Sequence, residues 1–157
     1  MIDDKQQIIK FDQRLNFEND NFFISKSNRH ILNLFNNWPN WEKNFLNISG
    51  EKFSGKTHLI NIFLKKFKGI KFESNLINNH DLSEIKFHQN IILENLDKNV
   101  NEKLLYTLFN IIEQDNKFLI VTSRNSIIDI RFTLNDLKSR TKNDLYFCGL
   151  LAFPNIL

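Results

Sequence analysis

The chain has 157 residues, 41% hydrophobic and 25% charged, with a formal net charge of +3. That length accommodates one ordinary domain with a sizeable core, and the balance is that of a globular chain, not a disordered one. A net +3 lacks the basic footprint of a nucleic-acid binder, the single Cys148 excludes an intramolecular disulfide or multi-cysteine metal centre, and no apolar run approaches the roughly 18 residues of a membrane span.

Residues 1–20 read as a polar arm with one apolar cluster, Ile8, Ile9 and Phe11, and without the apolar core of a signal peptide. A cytoplasmic location is expected, in keeping with the lone cysteine. The remainder, 21–157, reads as one α/β domain. Phe22 to Ile24 form a short extended segment. Ser27 is the expected N-cap of a helix carrying Ile31, Leu32, Leu34 and Phe35 on one face, ending before Pro39. Trp38 and Trp41, flanking that proline, are expected to be packing residues. Phe45 to Ser49 is a strand candidate running into Gly50.

Residues 56–67 are apolar nearly all round, as a buried helix would be, and finish in Lys65, Lys66, Lys68 and Gly69, a basic last turn with a C-cap glycine. Ile70 to Phe72 is a short strand. The polar stretch 75–89 gives no clear pattern. Asn90 to Leu93 is an apolar strand ending at Glu94, 101–114 has helical spacing, and Phe118 to Thr122 and Leu145 to Leu150 are further strands. Short apolar strands alternating with helices predict a mainly parallel five-stranded sheet with helices on both faces.

The chain spends 24 positions on Asn and only 4 on Gly, so a single Asn carries little weight and a glycine carries much. Two of the four glycines fall in Gly50-Glu51-Lys52-Phe53-Ser54-Gly55-Lys56-Thr57, a G-x-x-x-x-G-K-T phosphate loop between a strand and a helix. Such a loop turns successive backbone N–H groups toward one anion, and the following helix adds its positive end. With ATP or ADP as the ligand, Lys56 would reach the β-phosphate and, in ATP, the γ-phosphate, and Thr57 would bind Mg²⁺. The Mg²⁺ shell needs an acid at the end of a neighbouring apolar strand, and Glu94 is the candidate. Asn95 follows it, a neutral amide where a second acid would polarise water, so weak intrinsic hydrolysis is expected. Ser123, Arg124 and Asn125 end a third strand as either phosphate-facing groups or turn formers. Arg140 is either a surface residue or an arginine finger for a neighbour's nucleotide. The four histidines lack ligand spacing, so no protein-only metal site is expected.

The run NFFISKSNRHILNLFNNWPNWEKNFLNISGEKFSGKTHL, from Asn21 to Leu59, resembles the start of the AAA+ module of the DnaA/Hda-like family, bacterial replication initiators and their regulatory homologues. It shows, in order, F-h-x-x-x-S-N, a helix, W-P-x-W, a strand, and the phosphate loop followed by His-Leu. The resemblance continues to Arg140. It implies a P-loop NTPase base whose nucleotide set is Gly50, Phe53, Ser54, Gly55, Lys56, Thr57 and His58, with adenine packing near Ile24 to Asn28. It further implies Glu94 as the Walker B acid, Ser123-Arg124 as the sensor I strand end, and Leu137-Lys138-Ser139-Arg140 as the arginine-finger segment. Phe53 stands where the family commonly has glycine.

The regulatory branch begins with a sliding-clamp-binding peptide of Q-x-x-[LI]-x-[LF] type, which Gln6, Ile9 and Phe11 match. The implied function is regulation of replication initiation: with the clamp, the protein presents Arg140 to ATP held by a DnaA-type initiator and promotes its inactivation. Homo- or hetero-oligomerisation would follow. No DNA-binding domain and no membrane partner are expected. The family continues into a helical lid, and the sequence ends at Leu157 with no residues matching one, so a base without a lid is expected. A stand-alone P-loop ATPase or kinase and a degenerate nucleotide-binding scaffold are the competing readings.

Overall fold

The computed structural model describes residues 25–143 and 145–150. The extended segment expected at 22–24 and the peptide of Gln6, Ile9 and Phe11 lie outside them. The chain runs α1 (Lys26–Asn37), β1 (Phe45–Gly50), α2 (Lys56–Phe67), β2 (Ile70–Glu73), α3 (Asn79–Glu84) with a 3-10 turn at Ile85–Phe87, β3 (Asn90–Leu96), α4 (Glu102–Gln114), β4 (Phe118–Ser123), a 3-10 turn at Ile127–Asp129, α5 (Asn135–Asn143) and β5 (Leu145–Leu150). The five strands form one sheet in the order β2-β3-β4-β1-β5, and all four pairings are parallel.

Parallel strands need helical crossovers, which cover both faces, and the side-chain alternation divides between them. Leu46, Ile48, Ile92 and Ile120 point to a core completed by Ile31 and Phe35 of α1 and by Leu59, Ile60 and Phe63 of α2. Phe45, Ile91, Leu93, Leu119 and Val121 point to the other, filled by Leu105, Leu108, Phe109 and Ile112 of α4 and Leu137 of α5. Trp38 and Trp41 join the first core as packing residues. Trp38 meets Phe67 at a centroid distance of 4.6 Å and Trp41 meets Phe118 edge-on at 5.5 Å.

Three local expectations need correction. The N-cap of α1 is Ser25, in extended conformation, not Ser27. The Ser25 backbone N–H donates to Asn28 Oδ1 at 2.8 Å, and Ser27 sits inside the first turn with its hydroxyl 2.8 Å from that of Ser25. The C-terminal turn of α2 is taken by Lys68, at φ 52°, while Gly69 is needed for space: a Cβ there would lie 2.5 Å from the Asn90 carbonyl oxygen. The Asn90 side chain donates to the carbonyls of Phe67 and Lys68 at 3.0 Å each, supplying the cap expected from glycine. Finally β3 runs past Glu94 to Leu96, through a register shift at which Asn95 adopts φ 57°. The stretch 75–89 and the segment around Arg140, for which periodicity gave no helix, hold α3 and α5.

Candidate nucleotide-phosphate site

The strand order places β1 between β4 and β5, so the loop after β1 opens at the carboxyl edge of the sheet beside the end of β4. Clefts at that edge are where open α/β sheets bind ligands. Gly50 ends β1 under tight constraint. A Cβ there would meet Ser54 Oγ at 2.6 Å and the Leu150 carbonyl oxygen at 2.9 Å, so only glycine lets the loop fold back against β5. Gly55 caps α2 at φ 94°, a left-handed conformation that side chains disfavour. Lys56, Thr57 and His58 then form the first turn of α2, where backbone N–H groups find no acceptor within a helix.

Phe53 also lies at positive φ, 66°, with its ring 85% exposed. The backbone shape at this position explains why glycine would suit it. The ring is flanked by the Lys52 ammonium, 5.0 Å from its centroid. Lys56 turns back onto its own loop, where its Nζ donates to the carbonyls of Gly50 (2.5 Å) and Glu51 (2.9 Å) and lies 3.4 Å from Ser54 Oγ. Burial lowers its pKa; Glu51 opposes that shift and Arg124 adds to it.

A cleft of about 710 Å³ runs along this loop. Gly50, Phe53, Ser54, Gly55, Lys56, Thr57 and His58, the whole set expected for the nucleotide, line it, facing Asn95, Leu96, Asp97 and Arg124. Asn95 is held there by its left-handed backbone. Its N–H donates to Thr122 Oγ1 at 3.1 Å, and its side-chain amide donates to both Glu73 carboxylate oxygens, at 3.2 and 3.0 Å.

Three other expected residues are not in the cleft lining. Glu94 is 5% exposed, paired with Lys71 at 3.2 Å through Oε2, while Oε1 has no hydrogen-bond partner. Ser123 is buried: its hydroxyl donates to the Asn125 carbonyl at 2.6 Å and accepts from Asn47 Nδ2 at 2.9 Å. Arg140 lies against α4, bonded to Glu113 at 3.1 Å with its guanidinium 5.4 Å from the Tyr106 ring centroid.

Of the Ser123-Arg124 pair at the end of β4, it is Arg124 that occupies the cleft wall. Its Nε and Nη2 each lie 2.9 Å from Glu51 Oε2, and its carbonyl accepts from the Gly50 N–H at 3.1 Å. Lys71 could not have been assigned to Glu94 from sequence, because the pairing depends on β2 lying beside β3. Asn47 carries no local mark in a chain so rich in asparagine. It is buried in β1 and ties three segments, donating to the Val121 carbonyl and the Ser123 hydroxyl and accepting from the Ile127 N–H. No helix among the described residues is long and apolar enough to cross a membrane.

No protein-family model and no curated protein sequence matches the chain. Solved structures do. The chain is similar to AMPPCP-bound DnaA from Aquifex aeolicus at 17% identity and a TM-score of 0.68, covering 83% of this chain and 49% of that one. It is similar to domain III of the Thermotoga maritima replication initiation protein DnaA at 18% identity and a TM-score of 0.63, covering 83% and 65%. It is similar to DnaI at 16% identity and a TM-score of 0.62, covering 83% and 86%. The chain spans about half the length of the first initiator structures it matches. Identities this low establish the shared fold, a parallel five-stranded α/β sheet of the kind in DnaA domain III.

Proposed function

We propose that this chain is a nucleotide-binding AAA+ module of the DnaA-like kind, acting in bacterial replication initiation. The carrying observation is the loop Gly50–Thr57, whose two glycines are sterically or conformationally required and whose residues line one cleft with α2's first turn. The fold shared with an AMPPCP-bound initiator supports the same reading. In this reading the backbone N–H groups of the loop and Lys56 bind the phosphates of ATP or ADP. Lys56 has only to exchange carbonyls of its own loop for phosphate oxygens.

The donor set also fits Mg²⁺, a hard cation that takes oxygen ligands. Glu94 has a buried carboxylate oxygen without a partner, and Thr57 offers a hydroxyl at the cleft. When bound, Mg²⁺ would neutralise phosphate charge. Lys71 already neutralises Glu94 in part, and Asn95 cannot take a proton from water, which together support slow intrinsic hydrolysis. Ser123 would act by positioning, since its hydroxyl fixes the turn that carries Arg124.

The finer reading is regulatory: an Hda-type protein that joins the sliding clamp through Gln6, Ile9 and Phe11 and presents Arg140 to ATP on a DnaA-type initiator. Arg140 would have to leave Glu113 to do so. Calorimetry with ATP and ADP tests the module: binding that Lys56→Ala abolishes supports it, and no binding by the wild type refutes it. A clamp pull-down tests the partner, and equal capture of wild type and Gln6→Ala/Phe11→Ala would remove the clamp from the scheme. Arg140→Ala that stimulates initiator ATP hydrolysis as well as wild type would remove the finger.

A further inference from the structure

Resting on the reading of the loop as a phosphate site, we propose that Lys71 is a built-in counter-ion that lets this chain bind nucleotide without Mg²⁺. The fold brings two carboxylates together beside the cleft. Glu73, the last residue of β2, pairs in register with Glu94 of β3, so their side chains leave the same face of the sheet. Asn95 and Leu96, which follow Glu94, line the cleft itself. Glu73 is engaged by the Asn95 side-chain amide, which donates to its two oxygens at 3.2 and 3.0 Å. Glu94 is buried, and its charge is met by Lys71, also on β2, whose Nζ lies 3.2 Å from Oε2.

Phosphates entering a cleft edged by two bare carboxylates are repelled, and a divalent cation then has to accompany them. Lys71 removes that requirement at Glu94, because the buried carboxylate already carries its neutralising charge with it. The ammonium takes only one of the two oxygens. Glu94 Oε1 stays buried without a hydrogen-bond partner, so the acid keeps a ligand position for Mg²⁺. With the metal present, two cations share one carboxylate and repel each other. The Lys71 side chain is 39% exposed on a flexible stem, so it can yield toward water, but its presence lowers what the metal adds. Metal dependence is thus set from the neighbouring strand β2, and not by the phosphate loop.

Calorimetry with ADP on the full chain, in excess Mg²⁺ and in EDTA, tests this. The wild type is expected to bind in both buffers with affinities within about threefold, the scale of a partly screened charge. Lys71→Met is expected to weaken binding in EDTA and strengthen it in Mg²⁺, opening the ratio at least about tenfold beyond the wild type's. Lys71→Arg keeps the cation and should keep the wild-type ratio. A purely structural role for Lys71 would lower the thermal midpoint and weaken ADP alike in both buffers. An unchanged ratio in Lys71→Met therefore overturns the counter-ion, and so does a Lys71→Arg that behaves like Lys71→Met. Should Lys71→Met fail to fold, the wild type decides, because tight binding only with Mg²⁺ overturns the counter-ion while leaving the phosphate site intact. A wild type that binds in neither buffer overturns the phosphate-site reading and the counter-ion with it.

Discussion

The side-chain amide of Asn47, in β1, donates to the hydroxyl of Ser123 at the end of the neighbouring β4 across 2.9 Å. Both residues are about 1% exposed. Through this bond and those to Val121 and Ile127, the strand that leads into the phosphate loop is fastened to the strand end that carries Arg124. The distance between loop and cleft wall is thereby set by a buried polar network, which is rigid when every member is satisfied. Replacing Asn47 with Leu keeps the volume but strands the Ile127 N–H and removes the bond that the Ser123 hydroxyl accepts, leaving that hydroxyl only its bond to Asn125. A loss of about 3 kcal/mol in chemical denaturation is expected, against less than about 0.5 kcal/mol for Asn99→Ala at an exposed site. Equal small losses would mean that the network contributes nothing.

Lys56→Ala separates binding from folding. The ammonium bonds only to carbonyls and a hydroxyl of its own exposed loop, so the melting temperature should hardly move. Nucleotide affinity should fall at least about tenfold, the loss of a charge-assisted contact to phosphate. A variant that unfolds instead would make Lys56 a structural residue.

Glu94 and Lys71 should behave as a coupled pair. Removing the ammonium with Lys71→Met leaves a buried carboxylate without compensation and should cost about 2 kcal/mol, less than a fully buried pair because Lys71 is partly solvated. Adding Glu94→Gln should recover most of that. A double-mutant cycle by urea denaturation reads the coupling directly, and additive effects would show that the two do not depend on each other.

Glu102, in the first turn of α4, gives a pH signature. Its burial raises the carboxyl pKa, but the N–H groups of Thr133 and Leu134, the Thr133 hydroxyl and Lys138 outweigh that and hold it below the ordinary value. The carboxylate accepts from the Thr133 N–H at 2.8 Å and the Leu134 N–H at 2.8 Å, anchoring the chain just before α5. A depressed folded-state pKa contributes stability that is full above the unfolded value, about 4.3, and is lost as pH falls through the lower folded value. The stability gap between wild type and Glu102→Gln should therefore be constant at neutral pH and close only in acid. A gap that closed on raising the pH would contradict this.

Cys148 provides a probe of unfolding. Burial in β5 pushes its thiol up to about 11, so almost no thiolate exists at pH 8. Alkylation should be slow in the native state and rise with urea in step with unfolding.

The sheet and the phosphate loop were legible because they rest on local signals: short apolar strands, helical spacing in 56–67 and 101–114, and two glycines where the backbone allows little else. The expected strand at Leu145–Leu150 has the same bounds in the structure. What escaped depends on tertiary neighbours. α5 is polar over most of its nine residues and buries only Leu137 and Thr141, so its periodicity is weak. Gly69 has the sequence context of a C-cap glycine, but its requirement comes from Asn90 on another strand. Ser123 stood out by position in the sequence, and the fold buries its hydroxyl and exposes Arg124 beside it. Glu51, between the two glycines, pairs with Arg124, and nothing local marks an acid that a distant arginine will meet.

The position of β1 between β4 and β5 carries a cost in assembly. Phe45 pairs with Leu119 on one side and with Leu145 on the other, both far downstream. During synthesis β1 emerges early and waits with both edges open until β4 and then β5 arrive, and such long-range parallel pairing is slow. A ribosome that stalls after α5, or a protease that removes β5, releases a protein whose phosphate loop hangs from an unpaired edge. Bare strand edges recruit other chains. β5, the edge strand on this side, is therefore what covers β1, and its loss should appear as insolubility before it appears as lost nucleotide binding.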